Sequence, residues 1–315
     1  MATTEPHDTI IAPPASIGGH VTHHKGGSAG LYRLNTISAP VDQTGYTIDI
    51  DALRKLAHEV KPKLITVGGS LNLFHHPIAQ VRAIADEVGA KVLFDAAHLC
   101  GMIAGKVWPQ PLVEGAHLMT FSTYKSLGGP AGGLIVTNDD EIAQKLDAIA
   151  YPGLTANFDA AKTAALGITL QDWKSVGRDY AQMMVKTSQA LAQQLQSLGV
   201  NIFAADKGFT TSHQFAILAA PYGGGQTAAR RMGEAGLLAC GIGLPIEQVE
   251  GDLNGLRIGT PEIVRIGMKV EHMQDLAGFI ARSLDTSAEP KSIQREITEW
   301  RKQFSGVHYT VDLPN

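Results

Sequence analysis

Lys125, in "FSTYKSLGGPAGG", stands between a run of β-forming residues and a glycine cluster. An ammonium at the exit of a buried strand is costly unless it reaches water or a pocket uses it. Two other chemically capable groups sit in comparable places. Asp95 closes "KVLFD" with His98 three residues on, and Arg257 lies in "NGLRIGTPE". A deprotonated lysine amine forms an imine with an aldehyde. A carboxylate beside a pyridine nitrogen keeps it protonated, so that the ring can accept electrons. An arginine fork grips a carboxylate through two hydrogen bonds, which lysine cannot do. Pyridoxal phosphate held by Lys125, with Asp95 at its ring nitrogen and an amino acid held by Arg257, is a chemistry that uses all three.

The elements that must position these groups follow from the hydrophobic pattern. Strands are predicted at 8–14, 62–69, 90–95, 117–123 and 132–138. Helices are predicted at 49–60, capped by Asp49 or Asp51, and at 77–89, with Pro77 in the first turn and Gly89 as the stop. Apolar strands separated by helices predict an α/β fold, a mainly parallel sheet with helices on both faces. Ligands of such sheets bind beyond the carboxyl ends of the strands. Those ends deliver Ser70, then Asp95 and His98, then Thr123, Tyr124 and Lys125. A connecting helix is predicted at 179–199. A smaller α+β unit follows, with strands in "NIFAA", "HQFAILAA" and "GLRIGT", a helix in "MQDLAGFIARSLD" and a helical tail in "SIQREITEWRKQF". The domain expectation is a large cofactor-binding α/β domain over 1–178. The connecting helix and a C-terminal α+β domain fill 179–315.

Composition narrows the classes. With 315 residues, 44% hydrophobic and 18% charged, the chain has room for a large core or two domains. A net charge of −4 argues against a nucleic-acid partner. No apolar stretch is long enough to span a bilayer, and "MATTEPHDTIIAPP" has neither a basic start nor an apolar signal core. Cys100 and Cys240 form no CxxC, so a reduced cytoplasmic protein is the simple expectation, with both thiols as small apolar fillers. The histidines 20, 23, 24, 75 and 76 lack a carboxylate or cysteine at zinc-like spacing, so no metal is expected. Gly223–Gly225 have no GK[ST] ending and read as a strand-to-helix turn with Thr227 near the helix start. Trp108, Trp173 and Trp300 read as packing residues.

The order and spacing of "SIGGHVTHH", "LFDAAHLCGMIAGKVWP", "STYKSLGGPAGG" and "GLRIGTPEIVRIGM" resemble the serine hydroxymethyltransferases, fold-type I pyridoxal-phosphate transferases, from about residue 8 to about residue 285. The resemblance implies that Lys125 binds the cofactor covalently and that Asp95 pairs with its pyridine nitrogen. It places His98 and Ser70 near the phenolic oxygen, His20 on the ring face and Arg257 on the substrate carboxylate. Thr123 joins the cofactor-binding set, and Tyr124 joins Lys125 and His20 in the catalytic set. His23 matches the second histidine of its motif. The implied reaction makes or breaks the Cα–Cβ bond of serine, glycine or an α-substituted serine such as α-methylserine. Tetrahydrofolate is a co-substrate by resemblance alone. The alternatives are a folate-independent β-hydroxy amino acid aldolase, a racemase, or a non-catalytic partner of a full-length paralogue.

Three departures from the family pattern carry weight. Tyr124 stands where the family has histidine, a change of size and pKa. The stretch 151–165 replaces a Gly-Gly-Pro turn, leaving Thr155 and Asn157 to face a phosphate. The family's long N-terminal segment, with its phosphate loop, a strand and a central helix, has no counterpart before Asp8, which leaves an apolar sheet face open. Either the chain is a fragment or it is one half of a split enzyme. The polar start "MATTEPHD" favours the second. The expected partner is a complementary N-terminal polypeptide, in a hetero-oligomer built as a dimer of heterodimers.

Overall fold

A computed structural model of the chain describes residues 1–311. Contacts divide them into two units. The first comprises Met1–Asp42, Thr47–Ser70 and His75–Gln171. The second comprises Gln43–Tyr46, Leu71–Phe74 and the chain from Asp172 onward.

The first unit is built on a six-stranded sheet. Its strands are β1 (Thr9–Ala12), β2 (Asn35–Ser38), β3 (Leu64–Gly68), β4 (Lys91–Asp95), β5 (Leu118–Ser122) and β6 (Gly133–Thr137). The order is β2-β1-β3-β4-β5-β6. All pairings are parallel except β5 with β6, which is antiparallel. β2 was not anticipated. Its sequence "NTIS" is short and polar, as a tolerable edge strand is. Helix α1 (Ile50–Val60) starts at Asp49, whose carboxylate accepts from the Ala52 amide at 3.0 Å. Helix α2 (Ile78–Val88) stops at Gly89, with φ +71°. Pro77 is its cap residue rather than lying in its first turn.

Side chains alternate across the sheet. One set, Ile11, Ile65, Val67, Val92, Phe94 and Met119, is fully buried, and α2 packs on β3 and β4. The opposite set is Ile10, Leu64, Thr66, Leu93, Leu118, Thr120 and Ile135. Register places Ile10 beside Leu64, Thr66 beside Leu93, Leu93 beside Leu118, and Thr120 beside Ile135. This second face lines a cavity of about 510 Å³, walled also by Met1–Thr4, His23, Leu31, Leu146 and Leu154.

Helix α3 (Asp140–Ala148) follows β6 and is capped by Asp139. Helix α4 spans Ala160–Ser197, beginning well before the expected residue 179. Asp159 explains the early start, because its carboxylate accepts from the Lys162 amide at 3.0 Å ahead of an alanine-rich run.

The second unit holds three antiparallel strands, β7 (Gln214–Leu218), β8 (Cys240–Ile242) and β9 (Gly255–Gly259), in the order β8-β9-β7. Helices α5 (Gly225–Glu234), α6 (Met273–Leu284) and α7 (Pro290–Arg301) pack with one another. Its core gathers Phe215, Ile217, Met232, Leu256 and Leu276. "NIFAA" is not a strand: Ile202 makes one isolated bridge to Ile217, and Ala204 turns to φ +56° into a short 3-10 turn. Two early segments belong to this unit. The Tyr46 hydroxyl donates to the Gly243 carbonyl at 2.8 Å, and the Ser212 hydroxyl donates to the Asn72 carbonyl at 2.5 Å. Among the described residues no helix is long and apolar enough to cross a membrane.

Candidate active site

Asp95 is the last residue of β4. Gly68 lies beside it in register at the end of β3. Only glycine suits that place: φ is +90°, and a Cβ would stand 2.4 Å from the Asp95 carbonyl oxygen. The Asp95 side chain is buried, and each of its oxygens is engaged. The Ala97 amide donates to Oδ1 at 3.0 Å, and His23 Nε2 lies 3.1 Å from Oδ2. An ionised carboxylate only accepts, so His23 carries its proton on Nε2 toward Asp95. Burial alone would raise the Asp95 pKa. The hydrogen bond and attraction from His23, the Ala97 amide and the charge of Lys125 outweigh burial and hold it below 3.8.

Lys125 sits in the loop between β5 and β6. Its Nζ is 3.1 Å from His98 Nε2, one nitrogen donating and the other accepting. Two residues that sequence reasoning passed over pin these loops together. The Ser126 hydroxyl donates to the His98 carbonyl at 2.6 Å and accepts from the Gly101 amide at 3.0 Å. Cys100, expected as an apolar filler, places its sulfur 3.3 Å from the Ser126 hydroxyl and 3.3 Å from the Ser122 carbonyl. Burial raises its thiol pKa. A serine after a lysine in a glycine-rich loop gives no signal in sequence.

Thr123, expected among the cofactor-binding residues, anchors its own loop. It is buried, its hydroxyl donates to the Pro130 carbonyl at 2.6 Å, and its amide donates to Gly132. It secures the loop that carries Lys125. Tyr124 is 54% exposed.

His20 opens a short 3-10 turn, and its Nδ1 accepts from the Thr22 amide at 3.3 Å. The neutral ring then carries its proton on Nε2. Its pKa is lowered by burial and then by the charge of Lys125, against the pull of Asp95. A neutral imidazole can approach both groups without adding charge. The Ser70 amide donates to the Gly18 carbonyl at 3.0 Å, which ties the His20 loop to the end of β3. Asp95, His98, Lys125 and Ser70 lie at or within three residues of strand ends, and His20 and His23 lie in the connection between β1 and β2, all in the first unit.

Arg257 belongs to the second unit, on β9. It lies opposite Cys240 on β8 and Ala216 on β7. Burial and then the Arg257 charge hold His213 at a pKa of about 3, so an uncharged ring accompanies the guanidinium.

The donor set of the first unit fits the ring end of pyridoxal phosphate. It offers an ionised carboxylate inside the protein, a primary amine and neutral imidazole.

Residues 1–280 match the family model described as serine hydroxymethyltransferase. The chain belongs to the serine hydroxymethyltransferase family. It is 62% identical over 311 residues to an α-methylserine aldolase of Variovorax paradoxus, covering 99% of this chain and 70% of that protein. An α-methylserine aldolase of a Ralstonia species is 57% identical, with 98% and 70% covered. A serine hydroxymethyltransferase of Sulfolobus acidocaldarius is 39% identical, with 97% and 72% covered. Among solved structures, an L-threonine transaldolase from Pseudomonas fluorescens aligns with a TM-score of 0.88 over 98% of this chain and 70% of that one. At 24% identity this likeness speaks for the fold. The fold is that of the fold-type I pyridoxal-phosphate transferases, and the chain is a pyridoxal-phosphate-dependent enzyme of the hydroxymethyltransferase and aldolase class.

Proposed function

We propose that the protein cleaves the Cα–Cβ bond of an α-substituted serine such as α-methylserine without folate, releasing formaldehyde and the shorter amino acid. The observation that carries this reading is the 62% identity to an α-methylserine aldolase, against 39% to a serine hydroxymethyltransferase. Tyr124, in place of the family's histidine beside the lysine, accords with it. This favours the folate-independent alternative over hydroxymethyl transfer to tetrahydrofolate.

Pyridoxal phosphate, when bound, supplies an electron sink for the pair released at Cα. The residues supply the rest. The Lys125 amine would hold the cofactor's aldehyde carbon, and ionised Asp95 would keep a proton on its ring nitrogen. His23 orients Asp95 and stabilises its charge. His20, uncharged, would cover the ring face. Arg257 holds the substrate carboxylate through its planar fork. The β-hydroxyl proton leaves as formaldehyde departs, and one proton returns to Cα, so the reaction balances without an oxidant. The pair of His98 and Lys125, 3.1 Å apart, would exchange that proton, with Tyr124, next to Lys125 in the chain, as the second candidate.

A complementary polypeptide is part of this reading, in a hetero-oligomer. The support is the cavity of about 510 Å³ that lies against one apolar face of the first unit's sheet.

The test is formaldehyde release from α-methylserine by the protein with pyridoxal phosphate and the complementary polypeptide, with and without tetrahydrofolate. Equal release is expected in both. Release only with tetrahydrofolate returns the assignment to a hydroxymethyltransferase.

A further inference from the structure

We propose that Ser126 is a positioning residue: its hydroxyl ties the turn that carries His98 to the residue after Lys125, and so sets the distance between those two side chains. The inference rests on the reading above, in which His98 and Lys125 exchange the proton that returns to Cα.

The proton count on Ser126 comes first. A hydroxyl has one proton and two lone pairs. The 2.6 Å bond to the His98 carbonyl uses the proton, because a carbonyl only accepts. The Gly101 amide, 3.0 Å away, donates to the oxygen. The Cys100 thiol, with its sulfur 3.3 Å away, can then only donate to it. Ser126 is 2% exposed, so water does not compete for these bonds.

The Gly101 bond has a local cause. A short helix, Cys100–Ala104, starts two residues after His98, and its cap residue, Leu99, makes no side-chain hydrogen bond to it. The first amides of a helix need acceptors from elsewhere. Ser126 supplies one from the neighbouring loop. One side chain thus holds a carbonyl and an amide on either side of residues 99–100. The turn bearing His98 cannot shift without breaking a buried bond.

The Lys125 side is anchored as well. Thr123 is tied to Pro130 and Gly132, and the Gly128 amide donates to the Lys125 carbonyl at 2.9 Å. The main chain is therefore held before, at and after the lysine. A lysine stem is flexible and by itself fixes no position for its amine. With both main chains anchored, the 3.1 Å separation of Nζ and His98 Nε2 follows from the fold. Proton exchange needs a reach of about 2.6–3.2 Å.

A serine that only supported the loops would change stability and leave the chemistry of Lys125 alone. The test compares Ser126→Ala with Ser126→Thr, which restores the hydroxyl. The first readout is the titration of the Lys125 amine in the full chain without cofactor, from the pH dependence of its reductive methylation, followed by peptide mass spectrometry. A lysine ammonium only donates, so a displaced His98 lowers the midpoint. Asp95, His20 and Cys100 also feel the Lys125 charge and are unaltered in the variant. The midpoint should fall by at least about half a unit in Ser126→Ala, the size of one modest hydrogen bond, and not in Ser126→Thr. The second readout is turnover of α-methylserine by the protein with pyridoxal phosphate and the complementary polypeptide. In Ser126→Ala, kcat should fall at least about tenfold with KM within about twofold, and Ser126→Thr should recover it. The fall should vanish in a His98→Gln background, because two changes that act through one group do not add. Ser126→Cys keeps the volume and weakens both bonds. It should give the same signs at smaller size, and it serves if the alanine variant unfolds. An unchanged Lys125 midpoint overturns the proposal, and so does a loss of kcat as large in the His98→Gln background as in the wild type. If His98→Gln alone leaves turnover intact, the proton-exchange reading fails, and the Lys125 midpoint still decides whether Ser126 places His98.

Discussion

Asp95 keeps its charge inside the protein because each carboxylate oxygen has a donor, one from His23 and one from the Ala97 amide. A carboxylate whose folded pKa is depressed contributes stability above its unfolded value, near 3.8, and loses it as pH falls through the lower folded value. His23→Ala removes the stronger donor. It should cost about 1.5–3 kcal/mol at neutral pH, the range for hydrogen bonds to charged groups. The acid-unfolding midpoint should move to higher pH, as followed by circular dichroism, and an unchanged midpoint would show that His23 does not hold Asp95. Lys125→Ala should abolish turnover and the visible absorbance of bound cofactor while the fold survives. A borohydride-reducible adduct in that variant would assign the covalent link elsewhere. Asp95, His98 and Lys125 were legible in sequence because titratable groups at the ends of apolar strands are conspicuous. Ser126 and Cys100 were not, because their bonds run between loops that sequence does not bring together. The part of His23 appears only once the turn after Gly19 folds back toward β4.

Among the elements, the strand ends depend on glycine as much as on the sheet. At Gly68 a side chain meets both a positive φ and the Asp95 carbonyl at 2.4 Å. Gly68→Ala should destabilise the first unit by at least about 2 kcal/mol, from the left-handed backbone plus the contact. It should also weaken cofactor binding more than a surface variant of equal stability does. Thermal melts paired with cofactor titration check this, and wild-type affinity would show that Asp95 tolerates the shift. The parallel strands β1, β3, β4 and β5 were readable from their continuous apolar runs. β2 was not, since a polar edge strand carries no such pattern. Helix α4 begins early because a local cap and alanines decide its start. In "NIFAA", the left-handed turn at Ala204 ends the strand that β-forming residues promised.

At the scale of the molecule, the apolar composition does not end in a closed core. Leu31, Leu154 and Phe158 are all more than two-thirds exposed, or close to it, at 87%, 67% and 84%. Such a surface associates with whatever apolar surface it meets. The purified chain should therefore self-associate with rising concentration in sedimentation velocity. Leu154→Glu should reduce that association while changing stability by no more than about 0.5 kcal/mol. Concentration-independent monomers of wild type would show that these side chains are tolerated in water. Periodicity alone could not reveal this, because buried strands look alike in sequence whether one face or both are covered.

The contrast between the two thiols provides a built-in reporter. Cys100 is buried, its sulfur is held among Ala97, Ser122 and Ser126, and burial raises its pKa. Cys240 is partly exposed and faces Arg257 across the β8–β9 ladder. Directly opposed residues hold their Cβ atoms about 5 Å apart. A colourless disulfide reagent should thus modify one thiol quickly in the native protein and the second only after unfolding. On the proposed role of Arg257, a fluorophore attached at Cys240 would sit beside the guanidinium and change its emission as an amino acid carboxylate arrives. The proposed carboxylate binding at Arg257 becomes measurable without following any reaction. Two fast thiols in the native state would remove that use.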